Sequence, residues 1–163
     1  MAWAKNGTPD TLSGTADAMT ISDLTAKKFN ILLIHKIGAG TNANMLLRGN
    51  NDTGSNYAQR LSTEGAADTT SAPNSTGFLQ FNYNNNVDTF GIAYVCSISG
   101  EEKLGISWGM DQNSAGSGNA PSRREDVGKY VPSPDADITR FDVHNTNAGD
   151  FAANSNLSAL GTD

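Results

Sequence analysis

Residues 89–99, TFGIAYVCSIS, decide the class of fold because their side chains alternate strictly between two kinds. The bulky set is Phe90, Ile92, Tyr94, Cys96 and Ile98, and the small set is Gly91, Ala93, Val95 and Ser97. Period two is the side-chain spacing of a β-strand. The turn Gly100-Glu101-Glu102 leads into residues 104–110, LGISWGM, which alternate in the same way. The two segments therefore predict a β-hairpin.

Segments before and after this hairpin in the sequence also predict strands. Residues 29–37, FNILLIHKI, are apolar on both faces, which predicts a strand covered on both sides. Shorter strands are predicted at 19–22, 45–48, 57–61, 77–83, 125–131, 138–143 and 156–160, with 45–48 and 57–61 as hairpin partners. Polar segments at 63–76 and 111–122 predict long loops.

The composition agrees with a chain made of strands and turns. Asn (18), Thr (15), Ser (15), Gly (17) and Pro (5) make up 70 of the 163 residues, and only 17% are charged. Long runs of helix-forming residues are missing. We predict an all-β, antiparallel fold of about nine or ten short strands with little or no helix, and the spacing of the strands suits a sandwich or a barrel. Residues 19–163 would form a single β-sandwich domain. Residues 1–18 would form an N-terminal arm, either loose or carrying a first short strand anchored by Trp3.

The net charge and the hydropathy of the chain argue against nucleic acid and membrane as partners. There are 17 acidic and 11 basic residues, a net charge of −6, so a basic surface for nucleic acid is not expected. The longest apolar run, residues 31–34, is far too short for membrane insertion. No apolar leader follows Met1, and one cysteine, Cys96, excludes an internal disulfide framework, which suits a reducing compartment.

Motifs for catalysis or cofactors are not found in the sequence. There is no nucleophile elbow, phosphate loop or nucleotide fingerprint, so we do not expect an enzyme. His35, His144 and Cys96 are interpreted as structural residues. Asn50, Asn51 and Asp52 carry oxygens that calcium takes as ligands, but their spacing does not match an EF-hand and suits a turn better. The expectation is therefore no cofactor, with calcium at this turn as the one metal to consider.

Three stretches carry a resemblance to a known group of proteins. Residues 46–60, LLRGNNDTGSNYAQR, resemble a pattern LRFN-x-D-x-G-x-NY-x-x-R, residues 118–130, GNAPSRREDVGKY, resemble AP-x-R-x-E-x-VGKW, and residues 151–161, FAANSNLSALG, resemble FA-x-GS-x-L-x-x-LG. These patterns occur in small structural proteins of tailed viruses of bacteria and archaea. Gly49, Tyr130 and Asn154 depart from them.

The resemblance implies a bacteriophage-type virion protein with a jelly-roll-like β-sandwich fold. Such a protein would be assembled in the host cytoplasm and placed on the virion surface, as a capsid (head) decoration protein or a head or tail fibre component. Its expected partners are other copies of itself, with a homotrimer favoured, and the major capsid protein or tail components. Trp3, Arg123, Arg124 and Glu125 are the candidate contacts to a neighbouring subunit or to the particle.

The alternative function is a tail-fibre, receptor-binding module that recognises carbohydrate. Sugar sites use exposed aromatic rings as stacking surfaces, and Tyr57, Tyr83 and Tyr130 are the candidate glycan contacts. Trp108 is also available, but the pattern favours inward packing for Trp108 and for Tyr57.

Overall fold

The computed structural model describes residues 2–82, 86–132 and 136–163, and these residues form two antiparallel sheets without a helix. They contain thirteen strands: β1 (Ala4–Lys5), β2 (Asp10–Thr11), β3 (Ala18–Ile21), β4 (Phe29–Lys36), β5 (Leu46–Gly49), β6 (Tyr57–Thr63), β7 (Thr69–Asn74), β8 (Leu79–Gln80), β9 (Thr89–Cys96), β10 (Lys103–Asp111), β11 (Ser122–Tyr130), β12 (Phe141–His144) and β13 (Asn156–Thr162). The predicted all-β antiparallel sandwich is confirmed. Three of the strands have only two residues each.

The large sheet has the order β1-β13-β4-β9-β10-β11-β6-β7, and β2 also pairs with β13. The small sheet has the order β3-β12-β5-β8. The predicted hairpin of β9 and β10 is confirmed, with Leu104 opposite Cys96 and Asp111 opposite Thr89. The long central strands β4, β9, β10 and β11 thus lie side by side.

Two predicted details of strand pairing are wrong. Strands β5 and β6 are not hairpin partners, because β5 pairs with β12 and β8 in the small sheet while β6 pairs with β11 and β7 in the large one. The segment 63–76 is not only loop, since β7 forms within it at the edge of the sheet. Short polar strands of this kind lack the apolar alternation by which sequence reveals strands.

The N-terminal segment adds two short strands to the large sheet. Ala4 and Lys5 pair with Gly161 and Leu160, and Asp10 and Thr11 pair with β13 further along. The Asn6 side chain is buried and donates to Asn30 Oδ1 at 2.9 Å. Residues 4–11 are therefore joined to the sheet by backbone and side-chain bonds.

Bulky side chains of residues 78–81 fill part of the core between the two sheets. Phe78, Leu79 and Phe81, all fully buried, pack onto the inner face of the large sheet, where that face presents glycines. A Cβ atom built on Gly91 would lie 2.8 Å from Phe81 Cδ1, and one built on Gly105 would lie 2.8 Å from Leu79 Cδ1. The small residues of β9 and β10 therefore face inward, and the bulky residues of the same strands face outward.

Candidate protein interface

The outward side of the large sheet carries the bulky members of the alternating strands. Across β9, β10 and β11 these side chains form rows, because Tyr94 lies opposite Ile106 and Ile106 lies opposite Val127. A second row joins Phe90 and Met110. We call the outer apolar face the exposed side chains Leu33, Phe90, Tyr94, Leu104, Ile106, Trp108, Met110 and Val127.

Each of these eight side chains is between 39% and 55% exposed. Together they expose on the order of 700 Å², which exceeds the roughly 300–600 Å² of the largest apolar patch on an ordinary monomer. Scattered apolar residues on a surface need no explanation, but a contiguous patch of this size marks a site of interaction.

Two aromatic residues occupy the middle of the outer apolar face. The rings of Tyr94 and Trp108 meet edge to face with centroids 6.3 Å apart. Trp108 is 45% exposed, so the expectation that it packs inward is wrong. It faces outward because its neighbours Ser107 and Gly109 occupy the inner side, where there is no space for a large side chain.

Charged side chains border the face along β11 and β6, and they are paired. Lys129 Nζ lies 2.9 Å from Glu102 Oε2, Arg123 lies 3.5 Å from Glu125, and Arg60 lies 3.8 Å from Asp68. Exposed pairs of this kind contribute little stability. They do make the border electrically balanced, in contrast to the −6 charge of the whole chain.

Recesses lie between the exposed side chains. One, of about 300 Å³, is lined by Phe29, Tyr94, Leu104 and Ile106 together with Trp3 from the N-terminal segment. Another, of about 240 Å³, lies among Phe90, Trp108 and Met110 and reaches Arg123 and Glu125. The surface is therefore uneven, with bulky side chains beside hollows of comparable size.

The structure brings three of the four predicted interface residues to this surface. Trp3 is 44% exposed and lines the recess at one end of the outer apolar face, while Arg123 and Glu125 border the other end. Arg124 is different: its side chain faces inward and is buried. Arg124 is thus not accessible to another molecule, because alternate residues of β11 point to opposite sides.

Two of the three predicted glycan contacts, Tyr57 and Tyr130, are not available as exposed rings. Tyr57 and Tyr130 are buried and stack with centroids 4.8 Å apart, and both stack on Phe78. The inward packing predicted for Tyr57 is confirmed. Burial raises the pKa of both hydroxyls, and the Tyr57 hydroxyl donates to the Asp52 carbonyl at 2.9 Å. Neither ring presents a free face to a sugar. Tyr83 lies outside the described residues.

Asn50, Asn51 and Asp52 form the turn that the sequence favoured. Asn50 and Asn51 both have positive φ, 53° and 52°, and the Asp52 amide donates to the Gly49 carbonyl. Asn50 Oδ1 accepts from the Thr139 and Arg140 amides. The Asp52 carboxylate accepts from the Gly54 amide and the Asn56 side chain, which hold its pKa below the usual value although burial acts in the opposite direction. These oxygens are engaged in holding the turn.

One carboxyl group is buried under the border of the outer apolar face. Asp126, only 2% exposed, accepts from the Gln80 amide at 2.7 Å through Oδ2, while Oδ1 has no hydrogen-bond partner among the described residues. Burial raises the pKa of Asp126 to about 8, although the Gln80 amide and the charge of Arg124 favour its ionised form. Burial therefore favours the neutral form of this side chain.

Within residues 2–82, 86–132 and 136–163, no three His, Cys, Asp or Glu side chains converge as a group that could hold a metal ion. In the same residues no helix is long and apolar enough to cross a membrane.

The outer apolar face as a whole was missed by the sequence reading. Its signal was present in residues 29–37, where both faces of the strand carry apolar residues. We interpreted that pattern as a strand covered on both sides. In the structure β4 is covered on the inside only, and Leu33 is 39% exposed on the other side.

Comparison of the chain with family models and with curated proteins finds no match.

Proposed function

We propose that this protein is a non-enzymatic structural component of a virion surface, foremost a capsid decoration protein, which acts as a symmetric homo-oligomer. The observation that carries the proposal is the outer apolar face. A surface made of Leu, Ile, Met, Phe, Tyr, Trp and Val side chains, each 39% to 55% exposed, is typical of a protein interface. The resemblance in residues 46–60, 118–130 and 151–161 supplies the virion context of the proposal.

The architecture of the site favours binding over chemistry. The outer apolar face consists of carbon-rich side chains on rigid strands, and the charges beside it are paired with one another. A catalytic site needs nucleophiles or acids and bases that converge on a reacting atom. In this proposal the protein assembles in the host cytoplasm and then attaches to the major capsid protein or to tail components.

The experiment is sedimentation of the purified chain alone and then with virus particles that lack it. A discrete oligomer, with a trimer as the favoured state, that co-sediments with the particles is the expected result. A chain that stays monomeric and leaves the particles unoccupied would contradict the proposal. If the oligomer does not bind to particles but adsorbs to host cells, the protein would instead be assigned to the tail tip.

A carbohydrate-recognition module is the second candidate, and one observation favours it. The exposed Trp108 ring borders a recess of about 270 Å³ that is also lined by Arg60, Ser62, Asp68 and Glu125. An aromatic face flanked by hydrogen-bonding groups suits a sugar ring. Binding on a glycan array that is lost in Trp108→Ala would support this function, and a silent array together with no adsorption to cells would remove it.

A further inference from the structure

We propose that the outer apolar face of one copy packs against the outer apolar face of a second copy of the same chain. This inference rests on the homo-oligomer in the proposed function and deepens it by naming the surface and its occupant. The contact would be a packing of sheet on sheet, in which the large sheets of neighbouring copies face one another. Because the same surface lies on both sides of this contact, the two copies would be related by a two-fold axis.

The amino-acid pattern of the central strands indicates a missing cover. On β4 the outward residues Phe29, Ile31 and Leu33 are as apolar as the inward Leu32 and Ile34. Strands of this composition are normally buried on both sides. Within residues 2–82, 86–132 and 136–163 only the inner side is covered, by residues 78–81 and the small sheet, so the outer cover must come from another molecule.

The area of the face agrees with a partner of equal size. A standard protein interface buries about 800 Å² on each partner. The eight exposed side chains provide on the order of 700 Å², and Trp3 and the charged border add to it. A small ligand would cover only part of this surface, whereas the same surface of a second copy would cover it fully.

The charges favour a partner of the same kind. The chain carries a net charge of −6, so two copies repel each other over most approaches. Along the outer apolar face, three basic side chains, Arg60, Arg123 and Lys129, are matched by Asp68, Glu125 and Glu102. Two copies can therefore meet at this face with little repulsion. A strongly charged partner, such as an anionic lipid surface, would find no excess of opposite charge there.

The shape of the face is suited to self-complementary packing. A two-fold interface places the same patch on both sides, so the patch must contain both projections and hollows. Leu104 and Met110 project most, at 55% and 50% exposed, and the recesses of about 300 Å³ and 240 Å³ lie beside them. Both kinds of feature are present within one surface.

The test is Ile106→Glu, with Ser13→Glu as the control. Ile106 lies between Tyr94 and Val127 in the middle of the face, while Ser13 is exposed in the turn between β2 and β3. Both variants add one negative charge. We expect the unchanged chain and Ser13→Glu to sediment as the same oligomer. We expect Ile106→Glu to sediment as a monomer, because its dissociation constant for self-association should be at least 100-fold higher than that of the unchanged chain.

Thiol labelling of Cys96 supplies a second readout on the same proteins. Cys96 lines the recess below Trp3 on the outward side of β9 and is the one cysteine of the sequence. We expect its labelling rate to fall as the unchanged chain is concentrated, and to stay constant in Ile106→Glu. If circular dichroism shows that Ile106→Glu is unfolded, Leu104→Lys and Val127→Lys, at half-exposed positions, take its place.

The outcomes separate this inference from the proposed function. An oligomer that persists in Ile106→Glu, with Cys96 still labelled freely, would overturn the assignment of the surface and leave the structural role standing. A monomer at every concentration would overturn self-association at this face, while binding to particles would still be decided by co-sedimentation. Loss of the oligomer in both Glu variants would show a charge effect and would also overturn the assignment.

Discussion

Gly109 of β10 lies so close to Phe81 that a Cβ atom on Gly109 would overlap the carbonyl oxygen of Phe81. The same relationship holds between Gly128 of β11 and the carbonyl oxygen of Phe78. Backbone atoms cannot move aside as a flexible side chain can. The approach of segment 78–81 to the inner face therefore requires glycine there, and it directs Trp108 and Met110 outward.

Gly109→Ala tests this relationship directly. We expect the free energy of unfolding to fall by about 3 kcal/mol, because the added methyl group must displace the Phe81 backbone. Gly118→Ala is the matched control, since no atom lies within 4 Å of a Cβ built there. It should change the value by less than about 0.5 kcal/mol. Urea denaturation provides the measurement, and equal effects of the two substitutions would contradict the packing described.

Tryptophan emission reports on the outer apolar face alone. The chain has two tryptophans, and both Trp3 and Trp108 are about 45% exposed at this surface. If copies pack face to face, both rings lose water, and we expect the emission maximum to move to shorter wavelength as the protein is concentrated. Ile106→Glu should keep the emission of the dilute protein. A spectrum that stays unchanged while the sedimenting mass rises would place the contact elsewhere.

Asp126 predicts an unusual dependence of stability on pH. Its pKa of about 8 in the folded protein lies above the usual value of 3.8, so the folded state holds a proton that the unfolded state releases between these values. Stability therefore falls as pH rises from about 4 to about 8, by up to about 1.4 kcal/mol per pH unit. Asp126→Asn should remove this contribution and be the more stable protein at pH 9.

The measurement is the urea midpoint of both proteins at pH 5, 7 and 9. The difference between Asp126→Asn and the unchanged chain isolates Asp126 from groups that act in the opposite direction, such as His144, whose pKa is lowered by burial. Asp68→Asn, at an exposed carboxylate, is the control. A difference that does not vary with pH would show that Asp126 is ionised in both states.

Arg140 and Asp142 form an ion pair at the small sheet, and its carboxylate is almost completely buried. Arg140 Nη2 lies 2.6 Å from Asp142 Oδ1, its Nε donates to both carboxylate oxygens, and Thr20 Oγ1 also donates to Oδ1. Asp142 is only 3% exposed. We expect Arg140→Met to lower the free energy of unfolding by about 2 kcal/mol, because it leaves a buried carboxylate short of partners.

Lys27→Met is the comparison for that substitution. Lys27 pairs with the exposed Asp163 at 2.6 Å, and loss of an exposed pair should cost less than about 1 kcal/mol. Thermal or urea unfolding of the two variants provides the measurement. If the two variants lose the same free energy of unfolding, the burial of Asp142 does not explain the contribution of its ion pair to stability.

The position and type of the main strands followed from the sequence, while only one of their pairings, that of β9 with β10, did so. Alternation identified β9 and β10, and the short turn between them made their pairing predictable. For β5 and β6 the same reasoning failed, because proximity in sequence does not tell which sheet a strand enters. Strand β7 was missed because its exposed residues 69–74 carry no apolar alternation.

Among the candidate site residues, the turn at 50–52 could be predicted because local hydrogen bonds and φ angles determine it. The accessibility of Arg124, Tyr57 and Trp108 could not be predicted from the sequence. Each depends on which side of its strand is covered, and that is set by segments distant in the chain. Phe78 and Phe81 decide it for Trp108, through contacts with glycines on β9 and β10.

An antiparallel β-fold, the residues that share each face of a strand, and a surface without basic excess could all be predicted from the amino-acid pattern. Which face of the large sheet became the core depends on contacts between distant segments. Period two groups side chains into two sets but does not distinguish inside from outside. Here the set with small side chains faces inward, because the aromatic residues of segment 78–81 fill the space above it, and the bulky set faces outward.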